Sequence, residues 1–136
     1  MIHLDTNVAI ALLNGRQAQV RSRFDAALSA TSPLAMSVVV YHELMHGAAN
    51  SAHRQANEDK VAIFIAAGTT TLLAFTEEDA REAADIRAHL KRQGTLIGPY
   101  DVLIAAQARR SSATLVTANT NEFERVPGLA VVNWAA

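Results

Sequence analysis

Short apolar runs and longer segments of helical periodicity alternate along the whole chain. An apolar run without polar interruption is typical of a strand that is buried on both faces, as strands of parallel sheets are. The pattern predicts strands at 2–5, 34–36, 71–75, 115–117 and 130–132. We therefore expect an α/β fold, in which helices flank a central parallel β-sheet on both faces.

The segments between the predicted strands have the capping residues and stop signals of helices. Thr6 or Asn7 is placed to cap the first helix, and Ser37 is placed to cap the third. Thr76 and Asp79 match the pattern of a capping box. We interpret the acidic residues that follow Thr76 as a solvated helix start, because they suit the positive end of a helix dipole. The predicted helices are 8–13, 16–30, 38–49, 54–67, 76–94 and 101–110, and a turn is expected at 119–123.

Composition narrows the possible functions. The chain has 136 residues, and it has neither an internal repeat nor a linker, which fits one domain over 1–136. Its net charge of −1 provides no overall basic field for nucleic acid, so a nucleic-acid role needs a local site. The absence of cysteine excludes disulfides, cysteine zinc sites and thiol nucleophiles. No signal peptide or membrane-length apolar run is visible, and we expect a cytoplasmic protein without a membrane partner.

Three acidic residues lie in apolar surroundings, unlike the other carboxylates of the chain. Asp5 ends the first predicted strand, Glu43 lies within an apolar helix, and Asp101 begins a later helix. Active sites of parallel α/β proteins form beyond the carboxyl ends of the strands. Asp5 and the turn at Asn119 both fall at such ends, so we expect the candidate chemistry there.

Carboxylates that converge in apolar surroundings repel one another unless a cation binds them. Oxygen ligands alone favour hard ions, so the expected ion is Mg²⁺ or Mn²⁺, which suits hydrolysis of phosphodiesters. Two of the acids also have ordinary structural interpretations: Asp5 as a helix cap, and Asp101 as an acid that complements a helix dipole. Glu43 has no evident partner in the sequence.

Four motifs, taken in order, carry a family resemblance. They are Leu4-Asp5-Thr6-Asn7, Ser37 to Gly47 around Glu43-Leu44, Gly98-Pro99-Tyr100-Asp101 with the apolar run behind it, and Val116-Thr117-Ala118-Asn119 with Phe123. Their order and spacing resemble those of PIN-domain ribonucleases, and most of all the VapC-type toxins of bacterial toxin–antitoxin pairs. The resemblance covers essentially the whole chain and implies a PIN-like nuclease domain over 1–136.

By this resemblance, Asp5, Glu43 and Asp101 take the positions of the family's metal-site acids, in a pocket that holds Mg²⁺ or Mn²⁺. The wider family often has Asp at a fourth position, where this chain has Asn119. An asparagine can offer its carbonyl to a hard ion but adds no charge. Glu122 is the alternative source of a fourth acid.

The resemblance also implies a catalytic role for Thr117, near the metal or the attacking water, and a supporting polar role for Asn7. It implies an endoribonuclease of structured RNA, with tRNA a leading candidate, that leaves 5′-phosphate and 3′-hydroxyl ends. It implies a homodimer and a cognate antitoxin that blocks the acidic pocket. Because aromatic residues make up only 5% of the chain, no platform for stacking nucleobases is evident, and we expect recognition through phosphates and RNA shape.

Two alternatives remain open beside the ribonuclease. The segment His42-Glu43-Leu44-Met45-His46 matches the H-E-x-x-H pattern of zinc metalloproteases, in which both histidines bind zinc and the glutamate is the base. The chain is short for that class, and a third ligand would have to be the irregularly spaced His53. The other alternative is a non-catalytic protein of the same fold that uses the acidic pocket to bind a partner.

Overall fold

A computed structural model describes all residues, 1–136, and shows a five-stranded sheet in which every neighbouring pair of strands is parallel. The strands are β1 (Ile2–Leu4), β2 (Leu34–Ser37), β3 (Thr71–Leu73), β4 (Thr114–Val116) and β5 (Ala130–Val132). The helices are α1 (Thr6–Asn14), α2 (Ala18–Ser29), α3 (Val38–Ala49), α4 (Arg54–Ala66), α5 (Glu77–Arg92), α6 (Pro99–Arg110) and α7 (Thr120–Phe123). The expected α/β fold is confirmed.

The strand order, β3-β2-β1-β4-β5, places β1 at the centre of the sheet. The chain first builds outward from β1 to β2 and β3, and it then crosses back to add β4 and β5 on the other side of β1. Open α/β sheets form their binding crevices at the carboxyl ends of the strands where the order reverses in this way. Here that point lies beyond the ends of β1 and β4, where Leu4 pairs with Val116.

Apolar side chains form two buried clusters against the sheet. Neighbouring residues of a strand point to opposite faces, and Leu115 joins one cluster whereas Val116 joins the other. The larger cluster holds buried side chains of α3, α5 and α6, including Val40, Ile86 and Ile104. The smaller cluster holds most of the buried side chains of α1 and α2. Helices therefore cover both faces, and none of them is long and apolar enough to cross a membrane.

The structure decides between the caps that the sequence offers for the first helix. Asp5, and not Thr6 or Asn7, is the N-cap of α1, and its carboxylate accepts a hydrogen bond from the Thr6 N–H at 2.8 Å. Asp5 suits this position because β1 ends at Leu4 and leaves it in an extended conformation, with φ −76° and ψ 164°. One carboxylate thus follows the central strand and begins the first helix.

Other predicted helix starts are confirmed. Ser37 caps α3, and Thr76 and Asp79 make both hydrogen bonds of a capping box at the start of α5. Helix α6 begins earlier than expected, at Pro99, because proline fits the first position of a helix. The interpretation of the acidic start of α5 as solvated is wrong for Asp79, which is buried and pairs with Arg110 of α6 at 2.7 Å.

Candidate active site

Asp5 lies at the carboxyl end of the central strand, and only 3% of it is exposed. Its carboxylate accepts hydrogen bonds from the Thr6 N–H at 2.8 Å, the Thr117 hydroxyl at 2.6 Å and the Asn7 amide at 3.1 Å. Burial raises the pKa of Asp5, these donors oppose the shift, and the charge of Glu43 adds to it. The donors hold the carboxylate in one orientation at the end of the sheet.

Thr117 joins the ends of two neighbouring strands. It directly follows β4, is fully buried, and donates its hydroxyl hydrogen to Asp5. Its hydroxyl oxygen in turn accepts a hydrogen bond from the Asn119 N–H at 3.0 Å. Asn7 reinforces this link, because its amide oxygen accepts a hydrogen bond from the Ala118 N–H at 3.0 Å. Thr117 and Asn7 are therefore parts of the framework that orients Asp5.

Glu43 has a partner that the sequence did not reveal. The Thr6 hydroxyl donates a hydrogen bond of 2.6 Å to Glu43 Oε1, and this bond ties the first turn of α1 to the middle of α3. Thr6 had been considered only as a helix cap, and no sequence signal pairs it with a residue 37 positions away. Glu43 is half-buried, and its charge raises the pKa of both Asp5 and Asp101.

Asp101 is the acid with the least support from its surroundings. It lies in the first turn of α6, and its carboxylate leans back over Gly98, where an added Cβ would meet Oδ2 at 3.0 Å. The pKa of Asp101 is raised to about 6. Burial contributes most to this shift, and the negative charges of Asp5, Glu43 and Glu122 add to it. No hydrogen-bond donor opposes this shift. A bound cation would offset the negative charge of this partly buried carboxylate.

Two residues were candidates for the fourth site position, Asn119 and Glu122, and their side chains are hydrogen-bonded to each other. Asn119 precedes α7, the short helix that forms where a turn was expected. Its amide donates a hydrogen bond of 3.0 Å to Glu122, whose charge acts on Asp101. Asn119 therefore orients the acid beside it, and Glu122 brings the charge that Asn119 lacks.

The crevice offers oxygen donors to a cation but does not enclose one. No group of three His, Cys, Asp or Glu side chains lies close enough together to hold a metal ion. An open site fits Mg²⁺, which typically keeps several waters and uses one or two carboxylates of the protein. The best fit is to Asp5, whose orientation is fixed, and Asp101, whose charge has no donor. Glu43 and Glu122 are each engaged by a neighbouring side chain and suit contacts through water.

The histidines of the H-E-x-x-H motif do not form a zinc site. His42 and His46 are exposed, and their rings lie 6.5 Å apart with an angle of 20° between their planes. Glu43, between them, is bonded to Thr6 of α1. No third ligand completes a metal group, and His53 lies apart at the start of α4. The zinc-protease alternative therefore has no ligand set.

Fold and site together define an α/β protein with an acidic crevice at the reversal point of a parallel sheet. The family model described as "PIN domain" matches residues 2–129. The chain is 35% identical over 131 residues to the tRNA(fMet)-specific endonuclease VapC of Salmonella typhimurium, with 96% of each chain covered. It is 31% identical over 131 residues to Ribonuclease VapC2 of Rickettsia felis, again with 96% of each chain covered.

Solved structures extend these similarities to the fold. A chain of VapBC2 from Rickettsia felis, bound to a promoter DNA fragment, matches with a TM-score of 0.89 at 31% identity, over 98% of this chain and 99% of that one. A chain of DNA-bound VapBC from Salmonella typhimurium matches with a TM-score of 0.88 at 34% identity, over 98% and 97% of the two chains. The protein belongs to the PIN-domain family, and within it to the VapC group.

Proposed function

We propose that this protein is a VapC-type endoribonuclease toxin, which hydrolyses phosphodiester bonds of RNA and is neutralised by a cognate antitoxin. Its relatives are described as a tRNA(fMet)-specific endonuclease and a ribonuclease. The observation that carries the proposal is the uncompensated carboxylate of Asp101 beside the oriented carboxylate of Asp5. A purely structural acid would be paired, as Asp79 is with Arg110.

We assign the cation site to Asp5 and Asp101, with Glu43 as the third acid, and we expect Mg²⁺ or Mn²⁺ there. When bound, the cation lowers the pKa of a coordinated water and offsets the charge that develops on the phosphate. Asp5 contributes a carboxylate that Thr117 holds in place. Asp101 contributes charge, because a carboxyl with a pKa of about 6 is largely ionised at neutral pH.

Glu43 is the candidate acceptor for a proton of the attacking water. The Thr6 hydroxyl occupies Oε1 and leaves Oε2 without a partner from the chain. The water oxygen bonds to phosphorus as Glu43 accepts its proton, and the bond from phosphorus to the 3′ oxygen breaks. The 3′ oxygen takes up a proton from solvent and leaves as a hydroxyl. The expected products are a 5′-phosphate and a 3′-hydroxyl. Asn119 and Glu122 complete the site, because Asn119 orients Glu122 and Glu122 adds negative charge to the site.

The substrate class that we propose is tRNA. The support is the similarity, over nearly the whole chain, to an endonuclease described as tRNA(fMet)-specific. The formal net charge of −1 leaves a local site to do the binding, because no general attraction for RNA exists. An enzyme of tRNA meets its substrate in the cytoplasm, which is where we place this protein.

The antitoxin has a suitable groove next to the acids. A cavity of about 220 Å³ lies between α1, α3 and α4, and its lining includes Ile10, Leu13 and Leu44 beside Glu43. Ile10 is largely exposed, so an apolar segment that fills the groove would cover it. Such a segment would also reach Glu43 and close access to the crevice. The solved VapBC complexes support a protein partner of this kind.

We also propose a homodimer. For the apolar residues Val38, Tyr41, Val61, Phe64 and Ile65, the sequence leaves open a core position, a dimer contact or an antitoxin contact, and the structure divides them between these roles. Val61 is buried in the core and Phe64 packs within the smaller apolar cluster. Tyr41 and Ile65 line an open groove of about 650 Å³, which suits a second copy. Sedimentation of the purified protein tests this, and a monomer at all concentrations would contradict it.

Incubation of the purified protein with total cellular RNA tests the activity. We expect discrete cuts in tRNA when Mg²⁺ or Mn²⁺ is present, and no cuts when EDTA removes it. Mapping of the new 5′ ends by ligation, with and without prior kinase treatment, identifies the 5′-phosphate. Cuts that persist in EDTA would refute the cation site, and intact RNA under all conditions would refute the ribonuclease.

A further inference from the structure

Three exposed rings lie on the two helices that carry Glu43 and Asp101. His42 directly precedes Glu43 on α3, and Tyr100 directly precedes Asp101 on α6. The rings of His42 and Tyr100 have their centroids 5.5 Å apart, and His46 continues the row at 6.5 Å from His42. We call the row of His42, His46 and Tyr100 the aromatic rim. It bridges α3 and α6, the two helices that present Glu43 and Asp101.

The exposure of Tyr100 is unusual for this protein. The Tyr100 residue is 48% exposed, whereas every other Phe, Tyr and Trp residue is buried or half-buried. His42 and His46 are exposed as well, so the rim does not belong to the apolar core. The ring planes of His42 and His46 differ by 20°, and that of His42 is tilted by 51° against that of Tyr100. Exposed rings in a row beside a catalytic crevice are suited to stacking another flat group.

We propose that the aromatic rim stacks an unpaired nucleobase next to the phosphodiester that the enzyme cuts. This inference rests on the proposed ribonuclease function and names the substrate feature that the site selects. When the acids hold the scissile phosphate, the bases on either side of it are covalently fixed near Glu43 and Asp101. His42 and Tyr100 are the chain neighbours of those two acids, and their rings contact each other across the two helices.

Stacking on the rim requires a base whose face is free. In a duplex both faces of a base are covered by its neighbours, whereas loop bases can be splayed out onto aromatic side chains. The rim therefore favours cleavage in a loop or single strand over cleavage within a helix. It adds base stacking to the expected recognition through phosphates and RNA shape, because Tyr100 and two histidines form an exposed row of rings.

Substitutions of Tyr100 separate the effect of its aromatic ring from that of an apolar side chain at the same position. Tyr100→Phe keeps the ring, and Tyr100→Leu keeps an apolar side chain without it. On a hairpin RNA that is cut in its loop, we expect Tyr100→Leu to lower kcat/KM by about 10- to 100-fold and Tyr100→Phe to stay within about twofold. Ile63→Ala is the matched surface control, because Ile63 is 71% exposed on α4, and it should leave the rate unchanged.

An abasic site identifies the stacked base. Abasic nucleotides are introduced one at a time within two positions of the cut, on either side. At the stacked position, the wild type should slow to the rate of Tyr100→Leu, and the two proteins should no longer differ. The stacking proposal is refuted if Tyr100→Leu cleaves like the wild type, or if its loss of rate is the same on every abasic RNA.

A binding measurement keeps this test separate from the ribonuclease activity. A short RNA with 2-aminopurine at the stacked position, or at each position in turn when no cut is found, is titrated with the protein in EDTA. We expect fluorescence quenching by the wild type and Tyr100→Phe, and its loss in Tyr100→Leu. Quenching without any RNA cleavage would reject the proposed function but support the rim as a base-binding surface. Equal quenching by all three proteins, or none, would reject the rim.

Discussion

Asp5 and Asp101 are the same residue type in opposite environments at the same edge of the sheet. Asp5 is enclosed and accepts three hydrogen bonds, including one of 2.6 Å from Thr117. Asp101 has no donor and keeps a pKa of about 6. The contrast assigns orientation to Asp5 and uncompensated charge to Asp101, and each assignment can be measured.

The raised pKa of Asp101 predicts a pH dependence of stability in the metal-free protein. Between the ordinary value of 3.8 and about 6, the folded protein holds a proton that the unfolded chain has released. The stabilisation is therefore complete below the ordinary value and is lost as the pH rises through about 6. Burial lowers the pKa of His3, which opposes this effect over part of the same range. In EDTA, we expect the two raised carboxyls, Asp101 and Asp5, to outweigh it and the melting temperature to be higher at about pH 5 than at about pH 7.5.

Asp101→Asn should remove a large part of this difference in melting temperature. A smaller part should remain, because the pKa of Asp5 is raised as well and acts in the same direction. At neutral pH the variant should be as stable as the wild type or more so, because a like charge has been removed. A variant with the full pH dependence of the wild type would show that Asp101 is not the titrating group.

Thr117→Val tests the orientation of Asp5. The substitution preserves the side-chain volume but leaves the buried carboxylate without its shortest donor. We expect a loss of roughly 1–3 kcal/mol in the free energy of unfolding and a lower rate of RNA cleavage. Thr114→Val, at the start of β4, is the control and should change both quantities far less. Equal effects of the two substitutions, measured by urea titration and cleavage rate, would count against the role of Thr117.

At the scale of elements, the site forms where strands end and helices begin. Asp5 lies between β1 and α1, Thr117 follows β4, and Asp101 is in the first turn of α6. The sequence predicted these boundaries to within one or two residues, with Asp5 and Thr117 as the last residues of their strands and Asp101 at a helix start, because apolar runs, helix caps and proline mark boundaries locally. It could not predict the bond from Thr6 to Glu43, because a contact between α1 and α3 depends on how the two helices pack.

Two other contacts, the Asp79–Arg110 ion pair and the aromatic rim, also depend on helix packing and could not be predicted from the sequence. Asp79 matched a capping box, which is a local pattern, but its ion pair with Arg110 depends on the packing of α5 against α6. The aromatic rim was missed because composition counts rings without locating them. His42 and Tyr100 are far apart in the chain and meet only where α3 approaches α6.

The contact of α5 with α6 provides a prediction that leaves the active site intact. Asp79→Asn removes a buried charge that accepts hydrogen bonds from both Arg110 and the Thr76 N–H. We expect a loss of roughly 1–3 kcal/mol in stability without a change in RNA cleavage. Glu82→Gln, at the neighbouring pair with Arg109, should cost less, because the carboxylate of Glu82 is more exposed than that of Asp79. A larger loss from Glu82→Gln, in matched urea titrations, would contradict the role given to Asp79.

At the scale of the whole molecule, the acids concentrate negative charge at one edge of a protein whose net charge is only −1. An antitoxin that reaches this edge with an arginine would compete with the cation for the same carboxylates. By reciprocity, its affinity should fall as Mg²⁺ rises, and it should also fall in Asp5→Asn. Calorimetric titration at low and millimolar Mg²⁺, at matched ionic strength, measures this. An affinity that does not change with Mg²⁺ concentration would indicate that the antitoxin binds only the apolar groove.

The proposed function requires the acids at the carboxyl ends of the strands for RNA cleavage, and a comparison of two Asp→Asn variants tests this requirement. Asp101→Asn and Asp85→Asn remove the same charge, but Asp85 is exposed on α5 and takes no part in the site. With Mg²⁺ and tRNA, we predict that Asp101→Asn lowers the cleavage rate by at least about 100-fold while the protein stays folded, and that Asp85→Asn cleaves at the wild-type rate. Cleavage by Asp101→Asn at the wild-type rate would contradict the account.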